Sequence, residues 1–118
     1  MLIRTDPTSD DPLFAQVAAS VRADVVAGRL VAGDRLPAAR EVAAALDINL
    51  HTVLRAYQDL RDEGLVDMRR GRGAVVTDAA TALVALRDDI RDLVRKARAH
   101  GLSPDSLAAL VKETSRDD

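Results

Sequence analysis

The sequence predicts a mainly α-helical chain with one small β-hairpin: a winged helix-turn-helix followed by a C-terminal helical dimerisation segment. Three observations carry that prediction. Two short helical patterns are separated only by Asp47, Ile48 and Asn49, the spacing of a helix-turn-helix. Two β-prone runs then flank a tip made of Arg70, Gly71, Arg72 and Gly73. Beyond Ala79, the residues Leu83, Leu86, Ile90, Leu93 and Ala97 step by three and four, the heptad-like spacing of a helical seam.

Taken in order, residues 1–11 cluster Asp, Pro, Thr and Ser without a period and read as an N-terminal arm, with Leu2 and Ile3 free to dock. Asp11 followed by Pro12 has the form of an N-cap with proline at the first helical position. From there Leu13, Val17, Val21 and Val25 recur every fourth residue, an amphipathic helix running to near Gly28. Residues 29–37 carry Gly33 and Pro37 as breakers and read as a tight connection. A second helix follows over about residues 39–46. Asn49 is a good N-cap for a third, over residues 50–63, with Gly64 as its stop and Val53, Ala56, Tyr57 and Leu60 as its buried stripe. The hairpin completes a winged domain over residues 12–78. Residues 79–118 form the helical segment: one helix ending at His100 and Gly101, then a short one capped by Ser103 that puts Leu107, Leu110 and Val111 on one side.

Composition removes several function classes. The 118 residues hold 17 Lys and Arg against 19 Asp and Glu, a net charge of −2, so bulk charge attaches the chain neither to nucleic acid nor to a membrane, and any such binding must come from local distribution. There is no cysteine, hence no disulfide, no thiol nucleophile and no Cys-ligated zinc. His51 and His100 lie in different segments without metal-ligand spacing, and no Gly-rich loop with a Walker lysine is present. The pairs Asp10/Asp11, Asp62/Glu63 and Asp88/Asp89 read as solvated faces. No catalytic centre, metal or cofactor is expected. Phe14 and Tyr57 are the only aromatic residues, too few for a single-strand stacking platform. No apolar run approaches a membrane span and the N-terminus lacks the pattern of a signal peptide, so the expected location is the cytoplasm.

Local charge points to double-stranded DNA. With Val53 at zero and about 100° per residue, His51, Arg55 and Thr52 fall near 160°, 200° and 260°, away from the core. Short polar side chains at the start of a helix suit a phosphate, and longer donors one turn later reach base edges; Asn49, His51, Thr52 and Arg55 have that arrangement. Arg69, Arg70 and Arg72 place three cations at the hairpin, where Gly71 and Gly73 let the backbone approach a sugar–phosphate strand. Arg40, at the start of the second helix, suits a phosphate clamp. Structural alternatives stand beside each reading. Arg55 could pair with Asp59 or Asp62, His51 could be an ordinary surface residue, Arg40 could cover the helix interface with its stem, and the wing could be a solvated turn. The heptad-like seam could join two subunits or pack within one against Leu107, Leu110 and Val111. A protein-interaction module whose wing docks an acidic partner is the alternative function.

Four segments resemble the GntR family of bacterial transcription regulators, in particular its short YtrA-like branch: PLFAQV from Pro12, GRLVAGDRLPAAREVAAAL from Gly28, DINLHTVLRAYQDLRDEGLV from Asp47, and RRGRGAVV from Arg69. The resemblance implies that Arg40 grips phosphate, that Asn49 and Thr52 form the polar start of the recognition helix, that Arg55 is its outward arginine, and that Gly71 and Gly73 form the wing tip. It further implies a helical tail for dimerisation and, usually, repression; the expected assembly is a homodimer on a pseudo-palindromic operator. The tail is too short for the large effector domains of other branches, which leaves room for a small-molecule effector between tail and DNA-binding domain that no convergent polar set identifies. Three positions depart from the pattern. Ala38 stands where the family usually has a serine cap, and Leu50 and Leu54 stand where arginines are frequent.

Overall fold

The computed structural model describes residues 3–117. Helix α1, Leu13–Val26, buries Val17, Ala18, Val21 and Val25 on the stripe that its four-residue period requires. Its N-cap is Pro12 rather than Asp11, with φ −58° and ψ 149° and no side-chain cap. The Pro12 carbonyl accepts from Gln16 N at 3.1 Å, and the Gln16 side chain donates to the Asp11 carbonyl at 2.9 Å. The arm is docked as well. Ile3 is buried in the core, Arg4 N donates to Ser20 Oγ at 3.0 Å, and Asp6 N donates to Gln16 Oε1 at 2.6 Å. Leu2 lies outside the described residues.

Helix α2, Ala39–Leu46, ends on Asp47, whose φ of 54° lies in the left-handed region that Asp tolerates better than most residues. Ile48 N then donates back to the Ala43 carbonyl at 3.0 Å, closing the turn. Helix α3, Leu50–Asp62, follows at once, with Val53, Ala56, Tyr57 and Leu60 buried. It packs on both α1 and α2. The Tyr57 hydroxyl donates to the Pro37 carbonyl at 2.6 Å, tying α3 to the chain that enters α2. Burial pushes that phenol well above its ordinary pKa, and the charge of Glu41 adds to the shift.

Strands β1, Val66–Arg69, and β2, Gly73–Val76, form an antiparallel ladder from Val66 opposite Val76 to Arg69 opposite Gly73. Gly71 and Gly73, at φ 79° and 73°, supply the left-handed backbone that the reversal needs. The segment expected as a plain connection does more. Gly33 N donates to the Val76 carbonyl, Leu36 N to the Ala74 carbonyl, and Val76 N to the Asp34 carbonyl, at 2.8 to 2.9 Å, so residues 33–36 lie along the outer edge of β2.

Helix α4, Ala79–Ala99, begins in this first unit and continues into a second, the division falling between Val84 and Ala85. Ala80 is buried, and Ala79 and Leu83 pack against the core, which moves the division several residues past the expected boundary at residue 79. Leu83, expected on an intersubunit seam, is therefore packed within its own chain. Ala97, expected on the same seam, is also buried. In the second unit Leu102 N donates to the Ala97 carbonyl at 2.9 Å, and Ser103 caps helix α5, Pro104–Asp117, by accepting from Ser106 N at 3.1 Å. The last helix is 14 residues long, not short. Leu107 is half-buried, whereas Leu86, Ile90, Leu93, Leu110 and Val111 are exposed.

Candidate nucleic-acid interface

The start of α3 is built by its cap. Asn49, extended at φ −67° and ψ 135°, accepts from His51 N at 2.8 Å through its side chain and from Thr52 N at 3.0 Å through its carbonyl. No acidic residue stands in the first turn of α3. The positive end of the helix is therefore not neutralised by its own side chains and favours an anion. His51 is exposed and Thr52 half-exposed beside it. At the start of α2, Ala38 makes no side-chain cap, and Arg40 projects exposed from the first turn. A groove of about 700 Å³ runs between these two helix starts, lined by Ala38, Arg40, Glu41, Leu50 and Leu54 among others. The two leucines that replace frequent arginines thus give the interface an apolar stretch.

Arg55, one turn into α3, is exposed, and pairs with neither Asp59 nor Asp62. Its guanidinium carbon instead lies 3.6 Å from the centre of the Phe14 ring on α1. The hairpin supplies the remaining cations. Arg69, Arg70 and Arg72 are exposed, and Arg69 lies 3.9 Å from Asp67, too long for a strong pair. Among the described residues Arg40, Arg55, Arg70 and Arg72 form no ion pair, so their charge is available to a polyanion. Arg35 Nε donates to the Arg72 carbonyl at 2.8 Å, bracing the wing tip from the segment along β2.

All ten residues expected at a duplex contact are in the first unit, distributed over the start of α2, the start of α3 and the wing. Two contributors escaped sequence reasoning, Phe14 beneath Arg55 and Arg35 beneath the wing. Each acts across a long stretch of chain, and no local pattern signals such a partner. Elsewhere on the unit, Arg22 makes a two-pronged ion pair with Glu63, which raises the arginine pKa and clamps α1 to the end of α3. Among the described residues no group of three or more His, Cys, Asp or Glu is placed to hold a metal ion, and no helix is long and apolar enough to cross a membrane.

Comparison with known proteins gives a consistent result. The family model described as bacterial regulatory proteins, gntR family, matches residues 13–76. The HTH-type transcriptional repressor YtrA of Bacillus subtilis (strain 168) is 31% identical, the match covering 98% of this chain and 94% of that protein. Among solved structures, YtrA from Sulfolobus acidocaldarius, a GntR-family transcription factor, is similar at 32% identity and a TM-score of 0.63, covering 84% of this chain and 99% of the other. The DNA-binding domain of AraR in complex with operator ORX1 is similar at 25% identity and a TM-score of 0.56, covering 63% and 92%.

Proposed function

Since the chain belongs to the GntR family and is a DNA-binding transcriptional regulator rather than an enzyme, we propose that it works as a homodimeric repressor in the bacterial cytoplasm, on a pseudo-palindromic operator. The similar YtrA of Bacillus subtilis is named a repressor, and the similar AraR domain was solved with an operator. In this reading α3 enters the major groove. The Asn49 and Thr52 side chains meet a phosphate at the positive end of the helix, His51 and Arg55 face base edges, and Arg40 clamps the backbone from α2. Gly71 and Gly73 bring the wing close to the neighbouring strand, where Arg69, Arg70 and Arg72 neutralise phosphates or enter the minor groove. The observation that carries the proposal is the charge distribution: in an overall acidic chain, Arg40, Arg55, Arg70 and Arg72, on the helix-turn-helix and the wing, form no ion pair among the described residues.

Dimerisation falls to the second unit. Leu86, Ile90 and Leu93 on α4 and Leu110 and Val111 on α5 are 45% to 53% exposed, an apolar surface that a second copy would cover. Ala97 and Leu107 of the same unit are withdrawn from that surface, and Leu83 belongs to the packing of the first unit. Two-fold symmetry would then set half-sites about 34 Å apart, one helical turn. The test is selection of the purified protein on a randomised duplex library at fixed, near-physiological salt. A two-fold-symmetric enriched motif is expected. Retained DNA without a motif, or no retained DNA, overturns the proposal, and in the second case a protein-docking role for the wing takes its place.

A further inference from the structure

We propose that Phe14 is a positioning residue for base recognition, its ring holding the Arg55 guanidinium in a set orientation before DNA arrives. This rests on the assignment of Arg55 to base reading above. The 3.6 Å between the guanidinium carbon and the ring centre leaves room only for a flat stack. A planar guanidinium stacked by its face directs its N–H donors outward in its own plane, so the contact occupies none of them. A carboxylate partner would have done the opposite, fixing the side chain while taking the donors that a guanine edge requires. Here Asp62 lies near Arg61, at 3.7 Å, and no carboxylate among the described residues pairs with Arg55.

The ring is itself held. Phe14 is half-buried and packed against the core from the first turn of α1, while Arg55 rises from α3, and the two helices pack on each other. An exposed arginine normally loses rotamer freedom when it binds, and a side chain already settled on an aromatic face loses less. The gain is confined to sequences where Arg55 makes its base contact. It therefore appears as specificity, not as general affinity for DNA.

The experiment uses the duplex selected as above and a random duplex of equal length, at one salt concentration, with Phe14→Leu, Phe14→Tyr, Arg55→Ala and the double variant Phe14→Leu/Arg55→Ala. Phe14→Leu is expected to weaken binding to the selected duplex by about two- to five-fold, the span of exposed cation–π contacts, and to leave random DNA unchanged. Phe14→Tyr should retain wild-type binding, and Phe14→Leu should add nothing once Arg55 is alanine. Equal loss on both duplexes, a loss that persists without Arg55, or a gain in affinity overturns the positioning role alone. An Arg55→Ala protein that binds the selected duplex like wild type overturns the base-reading assignment itself. Nuclear magnetic resonance of the wild-type protein gives a check that needs no variant to fold: Arg55 side-chain protons should be shifted upfield by the ring current, and ordinary arginine positions contradict the stack.

Discussion

In the first unit Val17, Val21, Val25, Val53, Leu60 and Val66 are withdrawn from water entirely, whereas α5 buries no residue and five large aliphatic side chains of the second unit stand about half exposed. The same residue types thus have opposite surroundings in one short chain. A buried valine or leucine stabilises its own fold by roughly 1.5–3 kcal/mol, and one left half in water contributes only part of that. The first unit accounts for its stability internally. The second has its apolar surface on the outside, where a second copy would complete it, and its stability is expected to depend on protein concentration.

The largest expected effect comes from breaking the exposed stripe. Leu86→Glu with Leu93→Glu should convert a dimer to a monomer by analytical ultracentrifugation and lower apparent affinity for a two-fold operator by about a hundred-fold or more, since the two half-sites then bind independently. A dimer that survives both changes would remove the distinction between the units. Next, Leu60→Ala in the first unit should cost about 2–5 kcal/mol in denaturant unfolding, while Leu110→Ala, measured at concentrations where the chain is monomeric, should cost less than about 1 kcal/mol. Equal losses would show α5 to be packed like a core helix.

Two smaller effects separate the faces of the first unit. Arg72→Ala should weaken binding to all duplexes and reduce the slope of log affinity against log salt by about one, with no change in melting temperature. A change confined to one sequence would make Arg72 a reader, not a phosphate contact. Ala38→Ser should raise stability by about 1 kcal/mol, because Ala38 already has an extended N-cap backbone and lacks only the side-chain acceptor. A thermal scan showing no gain would mean that the start of α2 is satisfied by other means.

What the sequence displayed clearly is local. The stripe Val53, Ala56, Tyr57 and Leu60 follows from helical period, Asn49 follows from capping chemistry, and the hairpin follows from glycines between β-prone runs. What it concealed is pairing over distance. Ile3 was legible as free to dock but not as part of the core, nothing in residues 33–36 signals a sheet edge, and the opposition of Phe14 to Arg55 arises only once α1 packs on α3. Even at the start of α1 a local rule gave way: the proline that suits a first helical position became the cap, and Gln16 took over the task of holding Asp11. In the candidate interface, the exposed residues at the helix starts and the wing were legible, and those bracing them from behind were not.

The segment along β2 has a consequence for solubility. A two-stranded ribbon exposes two rows of unpaired amides and carbonyls, and an open edge rich in valine is a template for pairing with another chain. Here Gly33, Asp34 and Leu36 occupy the outer side of β2, next to Val75 and Val76, while the companion strand carries the exposed charges Asp67 and Arg69. One edge is sealed by the chain's own backbone and the other is guarded by charge. The exposed tip of the wing can therefore project from strands that are packed in the core without recruiting the wings of neighbouring molecules into an aggregate.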